Sequence, residues 1–376
     1  MKETRPAEHP DQTTTTAAEA LFIASQWQLM WRKLKRHRFA MGGGILLLLL
    51  YLIALFAEFF GTQDIFKRNE DLINAPPQRI RFFDQGRLRA PFVYGLQVSE
   101  DPVTWRRIYT PDREQVHPIR FLVRGDRYKM WGLVESDLHL IGIAEGTLAL
   151  FGTDPLGRDL MSRTISAMRI SLSIGLIGVA LSFILGCLLG GISGFFGGPV
   201  DMAIQRVIDF LVSIPTLPLW MALSAALPPE WPQLRIYFGI TVILSLFGWP
   251  GLARTVRSKL IASREEDFVM AARIAGTGEL KTIVSHLLPS FLSYLIVNVT
   301  LSIPGMILGE TALSFIGLGL RPPTVSWGVL LQDAQNIRTL YHTPWLLLPG
   351  LLVIVVVLSF NFLGDGLRDA ADPYQR

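Results

Sequence analysis

Six stretches of this chain carry no Asp, Glu, Lys, Arg or His over a length that can cross a membrane. They are Phe39–Ala57, Ile170–Val200, Phe210–Pro229, Ile236–Ala253, Leu287–Gly309 and Thr343–Gly364, each 18 to 31 residues long. A helix rising 1.5 Å per residue crosses a hydrocarbon core of about 30 Å in about 20 residues. One such run can be a buried helix of a large soluble protein. Six in one chain predict a multi-pass membrane protein. Pro215 and Pro218 must kink the third run. Composition agrees: half the residues are hydrophobic and 18% are charged, against about 25% in a soluble domain. That argues against a soluble enzyme and a disordered chain. The net charge of +4 offers no strong basic patch for nucleic acid. A single cysteine, Cys187, excludes an internal disulfide and a cysteine-based zinc site.

Basic residues set the expected orientation. Arg32, Lys33, Lys35, Arg36 and Arg38 precede the first run, and Arg254, Arg257, Lys259, Arg264, Arg273 and Lys281 separate the fourth from the fifth. The loop between the third and fourth runs carries only Arg235, and that between the fifth and sixth Arg321 and Arg338. Both termini and the 254–289 loop should therefore be cytoplasmic. The Arg-rich segment 61–169 does not count against this, because long segments translocate largely regardless of charge. The first run starts late and exceeds a signal peptide's apolar region, so it reads as a retained anchor. The expected layout is a cytoplasmic tail and basic flank (1–38, with 1–20 disordered), a first transmembrane helix (39–60), an extracytoplasmic insertion (61–150) and a helical core (151–376). The core's spans fall at about 170–196, 207–228, 236–253, 290–310 and 344–364.

The insertion reads as a small β-rich cap. Arg79–Phe83, Phe92–Val98, Ile119–Val123 and Tyr128–Leu133 alternate as short strands, and Gly125-Asp126 reads as a hairpin turn between the last two. The tripeptide Arg124-Gly125-Asp126 is then a charged turn.

Several kinds of chemistry lack their parts. The chain has no Gly-Lys pair and so no P-loop to cradle ATP. H-E-x-x-H and G-x-S-x-G are also absent, and the six histidines are scattered. Whatever energy the protein uses must come from an ion gradient or from another subunit.

Two features suggest mechanism. Gly178, Ser182, Gly186, Gly190, Gly194 and Gly198 recur every four residues. This small-residue ridge drifts slowly round a helix of 3.6 residues per turn and can face two neighbours in turn. Small residues let helix backbones approach closely. The ridge is either bundle packing or a surface along which one helix slides during transport. The second feature is the polar stretch Arg264–Pro289. It reads as a helix over Glu265–Ala275, a turn at Gly276 and Gly278, and a helix over Glu279–Leu288 ended by Pro289. Ala271 and Ala272 give the first helix a flat face for a partner.

The pattern Ala271-Ala272, Gly276 and Leu288-Pro289 resembles the cytoplasmic coupling motif of ATP-binding-cassette importer permeases. Met270 stands where that family prefers Glu. Three more blocks are similar to the second permease subunit of dipeptide and oligopeptide transporters. They are Gly152-Thr153-Asp154-Pro155-Leu156-Gly157-Arg158-Asp159, then Gly309–Leu320 with Pro322-Pro323 and Ser326-Trp327-Gly328, and finally Asn361–Asp369. The resemblance covers about 30–60 and 150–376 and leaves the insertion unassigned. It implies an all-α polytopic protein with six transmembrane helices of the type I importer permease fold, in a bacterial inner membrane.

The resemblance also implies partners. These are a homologous second permease subunit, two cytoplasmic ATPase subunits or one fused ATPase, and a periplasmic solute-binding protein, all within membrane lipid. ATP and Mg would be bound by the ATPases, and this chain would hold no cofactor. Asp267, Phe268, Met270, Ala271, Ala272, Arg273, Gly276, Leu288 and Pro289 become the expected ATPase-coupling residues. Asp154, Arg158 and Asp159 lie at the outer mouth, as gate residues or as a helix cap with its salt bridge. Glu310 is a costly ionisable group near membrane depth, or a solvated one if it reaches the interface. Asp365, Arg368 and Asp369 read as surface pairs. The implied cargo is a short peptide, with oligosaccharides, opine-like conjugates or nickel as alternatives. A gradient-driven transporter would need ionisable groups or broken helices at mid-depth, and a membrane-anchored receptor would work through its cap.

Overall fold

The computed structural model describes residues 26–84, 87–144 and 146–372. The expected disordered tail, 1–20, lies outside them. Helix α1 (Gln26–Arg36) carries the basic flank and is followed by the first span, α2 (Arg38–Leu55), and a short α3 (Ala57–Phe60). In α2 the residues Gly43, Leu47, Leu50 and Ala54 are buried, while Ile45, Leu48, Leu52 and Leu55 are exposed. Each set follows the three-to-four-residue spacing of one helix face. The first face packs on the bundle and the second faces lipid.

The core helices are longer than the uncharged runs. Helix α4 (Leu160–Phe196) has 37 residues, so it is about 55 Å long. It starts ten residues before its uncharged run and includes Arg163 and Arg169. The third run is kinked, as expected, and sharply. It is divided between α5 (Gly198–Ser213) and α6 (Thr216–Ala225), which are bent by 87° at the break. Pro215, which lacks an N–H, follows Ile214 in extended conformation at the break. Helix α7 (Gln233–Ser263) has 31 residues and carries Arg254, Arg257 and Lys259 on the end that outruns its apolar stretch. Helix α11 (Leu292–Phe315) follows the short helices of the 264–290 loop, namely α8 (Asp267–Ile274), α9 (Glu279–Thr282) and α10 (Leu288–Ser290). After α12 (Trp327–Gln332) and α13 (Ile337–His342), a 3-10 turn at Pro344–Leu347 leads into α14 (Leu348–Ala371). Among the described residues, five helices, or six spans if the bent pair counts as one, are long and apolar enough to cross a membrane.

The small-residue ridge is the seam between α4 and α7. Added Cβ atoms would meet Leu252 from Gly186, the Ala253 backbone from Gly190, and Arg257 O at 2.7 Å from Gly194. Ser182 donates to Ser245 O at 2.9 Å. Gly178 faces Met306 of α11 as well as Thr241 of α7. Gly198 is not part of the ridge. Helix α4 ends at Phe196, and Gly198 opens α5 with a φ of +56° and open space around it.

The insertion is β-rich, as expected, but its strands are longer. Strands β1 (Arg81–Asp84), β2 (Arg87–Glu100) and β3 (Arg107–Pro118) form one antiparallel sheet, and β4 (Arg120–Met130) and β5 (Val134–Gly142) a second. Gly125-Asp126 is not the hairpin turn. It lies inside β4, where the register slips between Arg124 and Tyr128. Gly125 leaves room for His139, whose Cδ2 would stand 2.7 Å from an added Cβ, and Asp126 receives Lys67 Nζ at 2.7 Å. A glycine without a side chain to pack marks a bulge as readily as a turn. The reversal occurs at Trp131-Gly132-Leu133.

The cap is bolted to the bundle. His139 is buried, and its Nδ1 lies 2.7 Å from Gly61 O. Asn69 N donates to Gly157 O, and Asn74 N to Asp154 O. Gly152 (φ +76°) and Gly157 (φ +70°) take the left-handed conformation that glycine adopts without steric cost. Added Cβ atoms there would strike Ala75 O and Asn69 O respectively. The two glycines of the Gly152–Asp159 block thus let segment 69–75 lie against it.

Candidate functional site

The 264–290 loop presents an apolar surface on a well-anchored base. In α8, Val269 and Ala272 are buried; they face inward with Ile283 and Leu287. Val269, Ile283 and Leu287 share a core with Val256 and Leu260 of α7 and Leu295 of α11. The opposite side carries Phe268 (39% exposed), Met270 (47%), Ala271 and Ile274 (87%), beside exposed Asp267. Successive residues turn about 100° round a helix, so the two alanines do not form one shared face. Only Ala271 is outward. Arg273 lies on the same helix. The turn after α8 is made by Gly276, with φ +75° and full exposure. Thr277 N closes back onto Ala272 O at 3.0 Å. The second limb differs from the expected single helix. Between α9 and α10 the residues Ile283–Leu287 form a wide π turn, and Pro289 sits inside the last turn instead of ending it. Proline is tolerated there because first-turn N–H groups have no intrahelical partner. Leu288 is half-buried and Pro289 exposed.

A cavity of about 290 Å³ opens between α4, α6, α7 and α11. Ser182, Thr216, Trp220, Asn298, Ser302 and Met306 contribute to its wall. Its polar groups lie mainly on α6 and α11, with Asn298 and Ser302 one turn apart. The Trp220 indole N–H is buried without a hydrogen-bond partner among the described residues. Of the residues singled out from sequence, only Ser182 reaches this cavity. The others were missed because Asn and Ser at four-residue spacing within an apolar run carry no charge signal. A kink at Pro215 was expected, but its size, 87°, and the cavity it forms were not.

At the N-terminal end of α4, Asp154, Arg158 and Asp159 are brought together but do different things. Asp159 is fully buried and caps α4, accepting from Ser162 N at 2.7 Å and from Thr62 Oγ1 at 3.0 Å. Side-chain caps satisfy the free N–H groups of a first helical turn. Asp154 accepts from Arg158 Nε at 2.6 Å and has Arg163 Nε at 3.4 Å. Asp333, just past α12, joins this network and was not foreseen. Burial, together with the Asp154 carboxylate, pushes its carboxyl upward from its ordinary value, and Arg158 and Arg163 oppose the shift.

Glu310 is fully buried in α11, so it is not solvated at the interface. It accepts from Ser314 Oγ at 2.7 Å and Ser171 Oγ at 3.2 Å. Ser314 Oγ in turn accepts from Leu320 N, and Ser171 Oγ from Trp327 N. Through these hydroxyls one carboxylate joins α4, α11 and the 316–327 loop. Among the described residues, no group of three or more His, Cys, Asp or Glu is placed to hold a metal ion.

Comparison with known proteins gives two family matches. Residues 182–376 match the family described as binding-protein-dependent transport system inner membrane component. Residues 25–77 match the N-terminal TM domain of oligopeptide transport permease C. A dipeptide transport system permease protein of Lactococcus lactis is 39% identical over 66% of this chain and 67% of its own length. A protein of the same description from Alkalihalophilus pseudofirmus is 41% identical over 59% of this chain and 71% of its own. An oligopeptide transport system permease protein of Haemophilus influenzae is 38% identical over 60% of this chain and 70% of its own.

Proposed function

Because the chain belongs to the family of binding-protein-dependent transport system inner membrane components, we propose that it forms half of an ATP-driven import path for short peptides. A homologous permease supplies the other half. ATPase subunits dock on the 264–290 loop from the cytoplasm, where both termini also lie, and a binding protein delivers solute to the opposite face. The chain itself binds no nucleotide and is not the catalytic subunit. The peptide assignment draws support from the relatives' described dipeptide and oligopeptide transport.

The observation that carries this reading is the continuity of α7. Leu260 on its cytoplasmic end packs with Val269 of α8, and Leu252 and Gly248 on the same helix line the cavity. Helix α7 is about 46 Å long and stays helical through Pro250, which lacks an N–H to donate. Movement of α8 by a closing ATPase pair therefore reaches the cavity wall through one rod. The Gly186–Gly194 seam makes α4 follow α7, so the bundle moves as a rigid body between inward-facing and outward-facing states. ATP binding drives one switch, and hydrolysis with phosphate release resets it.

Uptake in a strain lacking this gene tests the cargo. Labelled di- to pentapeptides should lose uptake and regain it on complementation, while oligosaccharide uptake stays unchanged. Loss of oligosaccharide or opine-conjugate uptake with peptide uptake intact would reassign the cargo within the family. Uptake that follows membrane potential and ignores ATP would overturn the class.

A further inference from the structure

The β4–β5 hairpin ends in a tip that ordinary turn chemistry does not explain. Met130, Trp131, Gly132, Leu133 and Val134 form an uncharged apolar run between Lys129 and Glu135, which pair with each other at 2.9 Å. Water-facing hairpin turns favour Asn, Asp and Gly, because these tolerate positive φ and solvation. Here Trp131 takes φ +53° beside Gly132 at +73°. A bulky residue in that region is a strained position, and such positions concentrate at functional sites. Leu133 is 82% exposed and Val134 55%.

The tip's height relative to the spans is fixed by contacts. The Trp131 indole N–H donates to Leu55 O at 2.8 Å, and its ring lies 5.6 Å from that of Phe56. Leu55 is the last residue of α2, which is about 27 Å long. Arg169, which borders the uncharged run of α4, donates to Ala54 O and Leu55 O and pairs with Glu58 at 2.6 Å. Two spans thus mark the same outer boundary of the hydrocarbon, and Trp131 sits on it. The lipid-facing stripe Ile45, Leu48, Leu52, Leu55 runs up α2 to this contact.

We infer that the Trp131–Val134 tip is an interfacial anchor, seated in the outer leaflet of the membrane and continuous with the lipid-facing stripe of α2. Tryptophan belongs at the membrane–water interface, where its ring is apolar and its N–H polar. Leu133 and Val134 dip into the acyl boundary, and the Lys129–Glu135 pair stays at headgroup level. The cap is then held at its base by the bundle and at one edge by lipid, independently of which solute is carried.

The test places a nitroxide on single cysteines in the complete transporter, reconstituted in nanodiscs, with Cys187→Ser as background. Leu133→Cys is compared with Leu48→Cys on the lipid stripe and Glu114→Cys on exposed β3. Collision with dissolved oxygen should exceed collision with a water-soluble nickel chelate at position 133 several-fold more than at 114, as at 48. A ratio at 133 equal to that at 114 places the tip in water and overturns the proposal. Protection from both reagents places it against another protein chain and also overturns it.

Discussion

Glu310 shows how one buried carboxylate can serve as an assembly point. Its two oxygens accept from hydroxyls on α4 and α11, and those hydroxyls hold the backbone of the 316–327 loop. Glu310→Leu removes both acceptors and leaves buried hydroxyls to find new ones. A buried polar group left unsatisfied costs about 1–3 kcal/mol, so this variant should unfold at a clearly lower temperature in detergent. Glu310→Gln keeps one acceptor and should lose much less. Equal stability of wild type and the Leu variant would show that the hydroxyls do not depend on this carboxylate. For transport, a Gln variant with full uptake would leave Glu310 a structural brace only. The sequence marked Glu310 as unusual, because an acid beside an apolar run is costly. It could not show burial, since the serines that partner it lie 139 residues upstream and four residues downstream.

At the scale of elements, the α4–α7 seam depends on absent side chains. Gly194→Val would press a branched Cβ against Arg257 O at 2.7 Å. Overpacking of this kind costs about 1–3 kcal/mol, and it should lower both the melting temperature and uptake. Gly42→Val, on the exposed face of α2 with nothing within 4 Å of its added Cβ and ordinary helical backbone, should cost far less. If both variants melt alike, the seam is looser than described. The ridge itself was readable, because small residues at four-residue spacing have a direct packing meaning. Its end was not, because Gly198 continues the spacing while the backbone turns. Strand β3 was also hidden: Tyr109-Thr110-Pro111-Asp112-Arg113-Glu114 has neither clean alternation nor a free N–H at Pro111. Helix α5 was partly hidden because Asp201, Arg206 and Asp209 interrupt the apolar pattern. Charge interrupts a membrane signal without interrupting a helix. In the 264–290 loop, alternation of burial along α8 was lost in the Ala271-Ala272 pair, where residue type cannot say which one faces inward.

Over the whole molecule, the proposed docking surface and the cavity are separate places on one helix. The loop surface of Phe268, Met270, Ala271 and Ile274 lies at one end of α7, and the cavity lies further along the same helix. The most direct test reconstitutes the complete transporter in proteoliposomes. It compares wild type with Ala271→Glu for binding-protein-stimulated ATP hydrolysis and for uptake of labelled peptide. Ala271 is exposed and touches no core residue's place, so the variant should insert and assemble normally. Wild-type uptake should require ATP, and the variant should lose uptake and stimulated hydrolysis about tenfold or more, the effect of about 1.4 kcal/mol or more at the docking contact. Undiminished ATP-driven uptake by a correctly inserted Ala271→Glu protein would contradict coupling through this loop.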